Sequence, residues 1–331
     1  MPSTKKTTAA KTAAEAAPKR RIAAPSKAKA AAADKANAAA PAADEAAAAP
    51  DAPRCVAVSG SQSGLGLAIR RHLEGVGLRV IGIDLPGKGA EVEADLSSTA
   101  GRKKAVASVL KQCGGVLHGV VANAGVDSPK AELTFQVNFF GATELLEGLR
   151  PALARAERPA AVVTVSHAIA ISPGIPDKAV AALLEGDMKG AEGALGRLTP
   201  NPYSVSKLAL ARWIRREAPG NDWAGSGITL NGICPGPIVT PMLEHDMADK
   251  MKGPIIRAMP KPTGETANPA DLAGLYGFLL GPDARYVVGQ MLMADGGVES
   301  QWRGEDWPKA WSISAARFVL QLFAPGLMKR R

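Results

Sequence analysis

The feature that most constrains this chain is a set of short segments that are apolar almost throughout. CVAVSG, LRVIGID, VLHGVVANAG, AAVVTVS, GITLNGICPG and QMLMADGG recur from Arg54 onward, separated by stretches of helix length. A strand with one wet face alternates polar and apolar residues, whereas a strand covered on both faces does not. Helical crossovers between parallel strands provide such cover, so the pattern predicts successive βα units in an α/β, doubly wound parallel sheet. Ligands of such sheets sit at the carboxyl ends of the strands, and the polar motifs described below fall at those ends.

The first of these segments runs into SGSQSGLGLAIR, Ser59 to Arg70. Gly60, Gly64 and Gly66 follow the strand Val56 to Val58 and open a helical run through Leu67, Ala68, Ile69 and Leu73. Glycine permits positive φ and close approach of another group, so a strand, a glycine cluster and a helix together predict a phosphate cradle. A P-loop needs a lysine in the turn, and none occurs between Arg54 and Lys88, which argues against ATP hydrolysis. The remaining reading is a turn for a dinucleotide pyrophosphate, although glycines also build ordinary tight turns. A second signal supports it: Asp84 ends LRVIGID, 20 residues after Gly64. A carboxylate there accepts hydrogen bonds from the adenosine ribose and repels a 2′-phosphate. Neither Lys nor Arg occurs in Ser59 to Gly66 or directly after Asp84, so the expected cofactor is NAD rather than NADP.

Composition divides the 331 residues unevenly. Residues 1–53 are low-complexity Ala/Lys/Pro with almost no large apolar side chain, so they are expected to be a disordered basic tail. Through Arg54 the chain carries ten Lys/Arg against five Asp/Glu, which is +5 of the total +9 and leaves +4 for the other 277 residues. Contact with nucleic acid is therefore expected only through this tail, the plainer alternative being a solubilising segment. A transit peptide is a third reading, weakened by Glu15, and no secretory h-region follows the N-terminus. Cys55, Cys113 and Cys234 are odd in number and far apart, which fits a reducing, cytoplasmic setting without disulfides. His72, His118, His167 and His245 share no ligand spacing, so no metal site is expected.

The chemistry is expected at PYSVSKLALARWIRRE. Tyr203 and Lys207, four apart, share one helix face, where an ammonium favours phenolate and draws a pKa of ~10 toward working pH. Such pairs also decorate ordinary helix surfaces. Ser166 ends the strand AVVTVS, where its hydroxyl can meet a substrate oxygen, and Asn138 lies in the helical segment FQVNFFGATELLE. Together Asn138, Ser166, Tyr203 and Lys207 resemble the tetrad of the short-chain dehydrogenases/reductases. SGSQSGLG, ANAG at Ala122 to Gly125, NFFG at Asn138, YSVSK and PGPIVTPM at Pro235 to Met242 follow in that family's order from about Arg54 to Glu299. GIDLPGKGAEVEADLSSTAGRKKAV, VNFFGATELLEGLRPAL and PAAVVTVS carry a nearer similarity to bacterial 3α-hydroxysteroid dehydrogenase/carbonyl reductases and coniferyl-alcohol dehydrogenase-like members.

The resemblance implies a Rossmann fold over residues 54–300 and hydride transfer between NAD(H) and a small hydrophobic secondary alcohol or ketone, steroid-like or an aryl carbinol. It implies Tyr203 as acid/base, Lys207 lowering its pKa and holding the nicotinamide ribose, Ser166 polarising the carbonyl and Asn138 supporting a proton relay. Around the cofactor it implies Ser59, Gly60, Ser63, Gly64, Leu65 and Gly66 at the pyrophosphate turn and Asp84 at the ribose. Asp95 and Leu96 would lie at adenine, and Asn123, Ala124 and Gly125 beside the ribose. Pro235, Gly236, Ile238 and Thr240 would lie toward the nicotinamide carboxamide. It further implies a homodimer or homotetramer. Ser59 stands where the family often has threonine and ANAG replaces NNAG, changes that look tolerable. His167 stands beside Ser166 where a small or apolar residue is usual, so it either touches substrate or is structural.

Ser166 and Tyr203 are 37 residues apart, which implies a helical insertion at about 171–200. Its apolar spacing at Val180, Leu183, Leu184, Met188 and Ala191 predicts one buried face, over an apolar substrate pocket or against another subunit. Residues 301–331 form an expected amphipathic arm with Trp302, Trp307 and Trp311, too short to span a bilayer. That arm docks on a partner or the active site, or makes weak contact at a membrane surface. Two further functions remain at this level: a dinucleotide-binding regulator without catalysis, and a surface- or nucleic-acid-tethered scaffold.

Overall fold

In a computed structural model, which describes residues 53–196 and 201–307 together with Ser314, Arg317 and Phe323, the apolar segments form one sheet. The strands are β1 (Cys55–Ser59), β2 (Arg79–Asp84), β3 (Val92–Glu93), β4 (Gly119–Ala122), β5 (Ala160–Thr164), β6 (Thr229–Pro235) and β7 (Met291–Ala294). Their spatial order is β3-β2-β1-β4-β5-β6-β7, and every pair is parallel. The two-residue β3 was not expected from the pattern, being too short to show a period.

The absence of polar alternation has its explanation in two cores. Ala57, Ile81, Ile83, Val120 and Val163 bury one face of the sheet, while Val56, Val58, Val80, Val121 and Val162 bury the other. On the first face pack α2 (Thr99–Gln112), α4 (Gly141–Leu153) and α8 (Pro202–Glu217), through Val109, Leu145, Leu149 and Ile214 among others. The second face is covered by α1 (Gly64–Gly75) and α11 (Pro269–Leu280), through Ile69, Leu73, Leu272 and Leu279. Burial of these side chains contributes ~1.5–3 kcal/mol each before conformational entropy is set against it.

Between α3 (Ala131–Phe135) and α4 the helix passes through a π turn, Gln136–Phe140, which carries Asn138. The helical segment expected around Asn138 is thus interrupted, and the wider turn re-aims its side chain inward. Past β5 come α5 (Ala168–Ile171), α6 (Asp177–Leu184) and α7 (Met188–Gly193), and past β6 come α9 (Pro241–Ala248) and α10 (Lys252–Ala258). The insertion carries α6 and α7, and its apolar face packs into the chain's own core, with Leu184 and Met188 partly buried against it. Ala179, Val180, Leu183 and Ala191 are fully buried in the same core as α8. The side chains of this segment have enough apolar neighbours in their own fold.

The expected disordered tail at 1–53 lies outside the described residues except for Pro53, and most of the C-terminal arm beyond Trp307 does too. At the start of that arm, α12 (Val298–Arg303) leaves Trp302 half exposed, and the Arg303 guanidinium lies 5.5 Å from the Trp307 ring centre. Among the described residues no helix is long and apolar enough to cross a membrane.

The turn into α1 requires its glycines for identifiable reasons. Gly64 has φ +48°, and a Cβ on Gly66 would lie 1.9 Å from the carbonyl oxygen of Gly60. The Gly60 carbonyl is backbone, so moving the nearby Asn123 side chain would not relieve the clash. Gly66→Ala is expected to destabilise the fold by at least ~2 kcal/mol in denaturant unfolding. Gly75→Ala at the end of the same helix, where a Cβ meets nothing within 4 Å, is expected to be neutral or stabilising by up to ~1 kcal/mol. Equal effects of the two substitutions would contradict this account.

Candidate active site

The strand order reverses between β1 and β4, so their connections leave in opposite directions and open a crevice at their carboxyl ends. A cavity of about 880 Å3 begins there. One end is the glycine turn, with Gly60, Ser63, Gly64, Leu65 and Gly66 in its wall. Ser63 occupies the N-cap of α1 without a side-chain hydrogen bond, so no side chain caps the amides at the start of that helix. The opposite end is apolar, with Met242, Leu243, Met251, Ile255, Ile256 and Met259 from α9, α10 and the flanking loops.

The crevice is stitched by short hydrogen bonds. Ser59 Oγ accepts from the amides of Asn123 and Ala124, both at 3.0 Å, and so joins β1 to β4. Asn123 Nδ2 donates to Ser59 O at 3.2 Å, which leaves its Oδ1 to accept from Thr164 Oγ1 at 3.0 Å. A threonine hydroxyl has one proton, so the Tyr276 hydroxyl, 2.8 Å away, must donate to Thr164. Thr164 O in turn accepts from Lys207 Nζ at 2.8 Å. Asp84, at the end of β2, accepts from the Gln62 amide at 2.9 Å and from Leu85 at 2.8 Å. One lone pair on each oxygen is thereby used, and further acceptor capacity remains.

The four expected catalytic positions converge. Helix α8 starts at Pro202, with Asn201 Oδ1 accepting from the Ser204 amide at 2.9 Å, and this cap directs Tyr203 and Lys207 toward the sheet. Ser166 lies two residues past β5, where its Oγ accepts from the Ala168 amide at 3.2 Å and its hydroxyl draws the Tyr203 pKa downward. Tyr203, Lys207 and Ser166 line the cavity, while Asn138 is fully buried behind it. Asn138 grips the backbone of Val126 from both sides, accepting from its N–H at 2.8 Å and donating to its carbonyl at 2.9 Å. Its amide also donates to Ser206 Oγ at 3.1 Å, and Ser206 donates to Tyr203 O at 2.7 Å.

Protonation departs from the expectation for a Tyr/Lys pair. Burial pushes the Tyr203 phenol up to about 12, an effect that the Ser166 hydrogen bond reduces but does not reverse. Lys207 Nζ lies 5.7 Å from the Tyr203 ring centre and donates to Thr164 O, and burial lowers it to about 8. Desolvation therefore outweighs the cationic neighbour, leaving a neutral phenol over a still mostly protonated lysine near neutral pH.

The cofactor positions divide. Besides the glycine turn, Asn123, Ala124, Gly125, Pro235, Gly236, Ile238 and Thr240 line the cavity. Thr240 also caps α9, accepting from the Leu243 amide at 3.3 Å. Ser59 acts from behind through the amides it holds. Asp84, Asp95 and Leu96 lie outside the cavity wall. Asp95 is exposed and caps the following turn through the Ser97 amide at 2.9 Å, while Leu96 is buried. His167 lines the cavity, yet its Nδ1 is 3.4 Å from Asp295 Oδ2 and burial lowers its pKa, so its ring is held as a neutral structural group.

Sequence reasoning missed Thr164, Ser206, Tyr276, Asp127, Asp246 and Lys252. Thr164 carried a signal, as a hydroxyl inside the apolar run AAVVTVS. Tyr276 and the Asp127–Lys252 contact carried none, since their partners lie 112 and 125 residues away.

The chain is similar to known proteins over this whole region. A family profile described as enoyl-(acyl carrier protein) reductase matches residues 187–299. A 3-alpha-hydroxysteroid dehydrogenase/carbonyl reductase of Comamonas testosteroni is 37% identical over 254 residues, 75% of this chain and 97% of that protein. A cis-4-hydroxycyclohexanecarboxylate dehydrogenase of Sinomonas cyclohexanicum is 28% identical over 74% of this chain and 96% of its own. Among solved structures, the 3-alpha-hydroxysteroid dehydrogenase of Pseudomonas sp. B-0831 complexed with NADH superposes with a TM-score of 0.71 at 40% identity, covering 76% of this chain and 99% of that one.

The Lys207 shift has a measurable consequence. Folded, its pKa is about 8; unfolded, it returns to its ordinary value near 10.5. Below pH 8 both states hold the proton and this contribution to stability is flat; from 8 to 10.5 only the unfolded state holds it, so stability rises with pH. Tyr203 acts oppositely above about 10, but equally in wild type and variant. The stability of wild type relative to Lys207→Met is therefore expected to rise between about pH 8 and 10 in denaturant unfolding. A difference that stays constant across that window would show that burial does not depress this lysine.

Proposed function

Because the chain belongs to the short-chain dehydrogenase/reductase family and is a nicotinamide-dependent oxidoreductase of CH–OH donors, we propose that it interconverts a hydrophobic secondary alcohol and its ketone with NAD(H). Steroid-like alcohols and aryl carbinols are the substrate classes that suit the cavity. The observation that carries this reading is the placing of the Ser166 and Tyr203 side chains, as a pair with Lys207, in the wall of one cavity that also holds the glycine turn and an apolar set of side chains. A regulator without catalysis would not need that pair.

The residues present fit a dinucleotide. Uncapped amides at the start of α1 suit a pyrophosphate, and the close packing of Gly66 on Gly60 keeps side chains out of the turn. Asp84 has acceptor capacity for ribose hydroxyls and a charge that disfavours a 2′-phosphate, so NAD(H) is the proposed form. Asn123, Thr240, Ile238 and the Pro235–Gly236 turn would hold the other end. When bound, the nicotinamide supplies or accepts the hydride.

The chain's own residues handle the proton. Ser166 Oγ and Tyr203 Oη together receive the substrate oxygen, and in the reducing direction the neutral phenol donates its proton to that oxygen. Lys207, held on Thr164 O, offsets the negative charge this leaves on Tyr203. Asn138 fixes the Val126 backbone and, through Ser206, the main chain of Tyr203, so it acts as a positioning residue. Met242, Leu243, Ile255 and Ile256 exclude water around the apolar body of the substrate.

Tyr203→Phe removes the donated proton and leaves the cofactor contacts in place. Ketone reduction followed by NADH absorbance is expected to fall ~100-fold or more, with NADH affinity by fluorescence changed less than ~3-fold. Retention of more than about a tenth of the wild-type rate would overturn the assignment. Asp84→Ala is expected to narrow the preference for NADH over NADPH, measured as the ratio of kcat/KM values. Equal use of both cofactors by the wild type would contradict the role given to Asp84.

A further inference from the structure

Two carboxylates share a single ammonium on the substrate side of the cavity. Lys252 Nζ on α10 lies 2.7 Å from Asp127 Oδ2 and 3.1 Å from Asp246 Oδ1, and all three residues line the wall. Asp127 lies in the loop after β4, and its neighbour Val126 is gripped by Asn138 on both its N–H and its C=O. Asp246 comes from α9, on the other side of the lysine. Neither carboxylate is well solvated: their side chains are 19% and 13% exposed.

Resting on the reading of this cavity as the substrate site, we propose that the Asp127–Lys252–Asp246 triad makes the enzyme selective for uncharged apolar alcohols and ketones and excludes those bearing a carboxylate. Two anions against one cation leave a net negative charge beside an otherwise apolar surface of Met242, Met251 and Ile255. Asp249, a third carboxylate in the wall, accepts from the Met251 and Lys252 amides, both at 2.8 Å. The other lysine of the cavity, Lys207, is committed to Thr164 O, and among the described residues no arginine lines the cavity. His167 is paired with Asp295, and His245 faces the same wall beside Asp246. A substrate carboxylate therefore meets no forked donor and must either displace an aspartate from Lys252 or remain unpaired near two like charges. The field of the triad reaches the reaction centre, since Asp127 and Asp246 both push the Tyr203 phenol upward. A neutral substrate disturbs none of these pairs.

The test uses 4-acetylbenzamide and 4-acetylbenzoate, near-isosteric aryl ketones that differ by one charge. The full-length protein reduces each with NADH at about pH 8, and binding of each to the protein–NADH complex is read from NADH fluorescence. The amide is expected to exceed the acid at least ~10-fold in kcat/KM and in affinity. Asp246→Asn leaves a neutral pair and is expected to narrow that ratio at least ~3-fold, whereas Lys252→Met leaves two unpaired carboxylates and widens it. A structural effect of either substitution moves both probes together, so an unchanged ratio in both variants overturns the proposal. An acid that equals or betters the amide overturns it as well, because Lys252 would then be receiving the carboxylate. Should neither ketone be reduced, hydride transfer to aryl ketones fails, and the binding ratio alone decides the charge preference. If neither ketone binds, the proposal fails too.

Discussion

The carboxamide of Asn123 joins the glycine turn after β1 to the end of β5. Its donor end is fixed on the glycine turn through Ser59 O, and its acceptor end takes the proton of Thr164, whose hydroxyl is supplied by Tyr276. The carbonyl of the same threonine holds Lys207. One chain of hydrogen bonds thus runs from the glycine turn to Lys207. Parallel strands cannot be tied at their ends by hairpins, so side chains at the crevice must make this connection.

Burial governs the rest of the site. Lys207 and Asn138 are almost completely withdrawn from water, and among the described residues no buried side-chain nitrogen or oxygen lacks a partner. Full satisfaction makes such a network rigid, and the low dielectric around it decides protonation. Desolvation raises the Tyr203 phenol, and Lys207 is bonded to Thr164 O.

The helices around the site divide their tasks by burial. The insertion formed by α6 and α7 sinks Val180 and Leu183 into the main core, whereas α9 and α10 contribute to the wall of the cavity. In that wall exposed Met251 and Ile255 flank the triad of Asp127, Lys252 and Asp246. Apolar surface and a rim with net negative charge therefore coexist on one short helical pair, tied to the sheet through a loop that Asn138 holds.

Local physics made much of this legible in the amino-acid order. Strand after strand without polar alternation requires cover on both faces, three glycines after a strand require a turn that side chains would block, and Tyr203 and Lys207 four apart must share a helix face. Those features determined the parallel α/β sheet, the glycine turn at Gly60 to Gly66 and the shared helix face of Tyr203 and Lys207. Tertiary structure alone decided what depends on distant neighbours: the neutral state of Tyr203, which burial imposes, and the inward packing of the insertion, which exposed apolar spacing could not assign a partner. It also decided the meeting of Asp127 with Lys252 across 125 residues. Charge states and long-range pairs depend on which groups folding brings together and how much water it removes, and neither quantity is encoded in spacing along the chain.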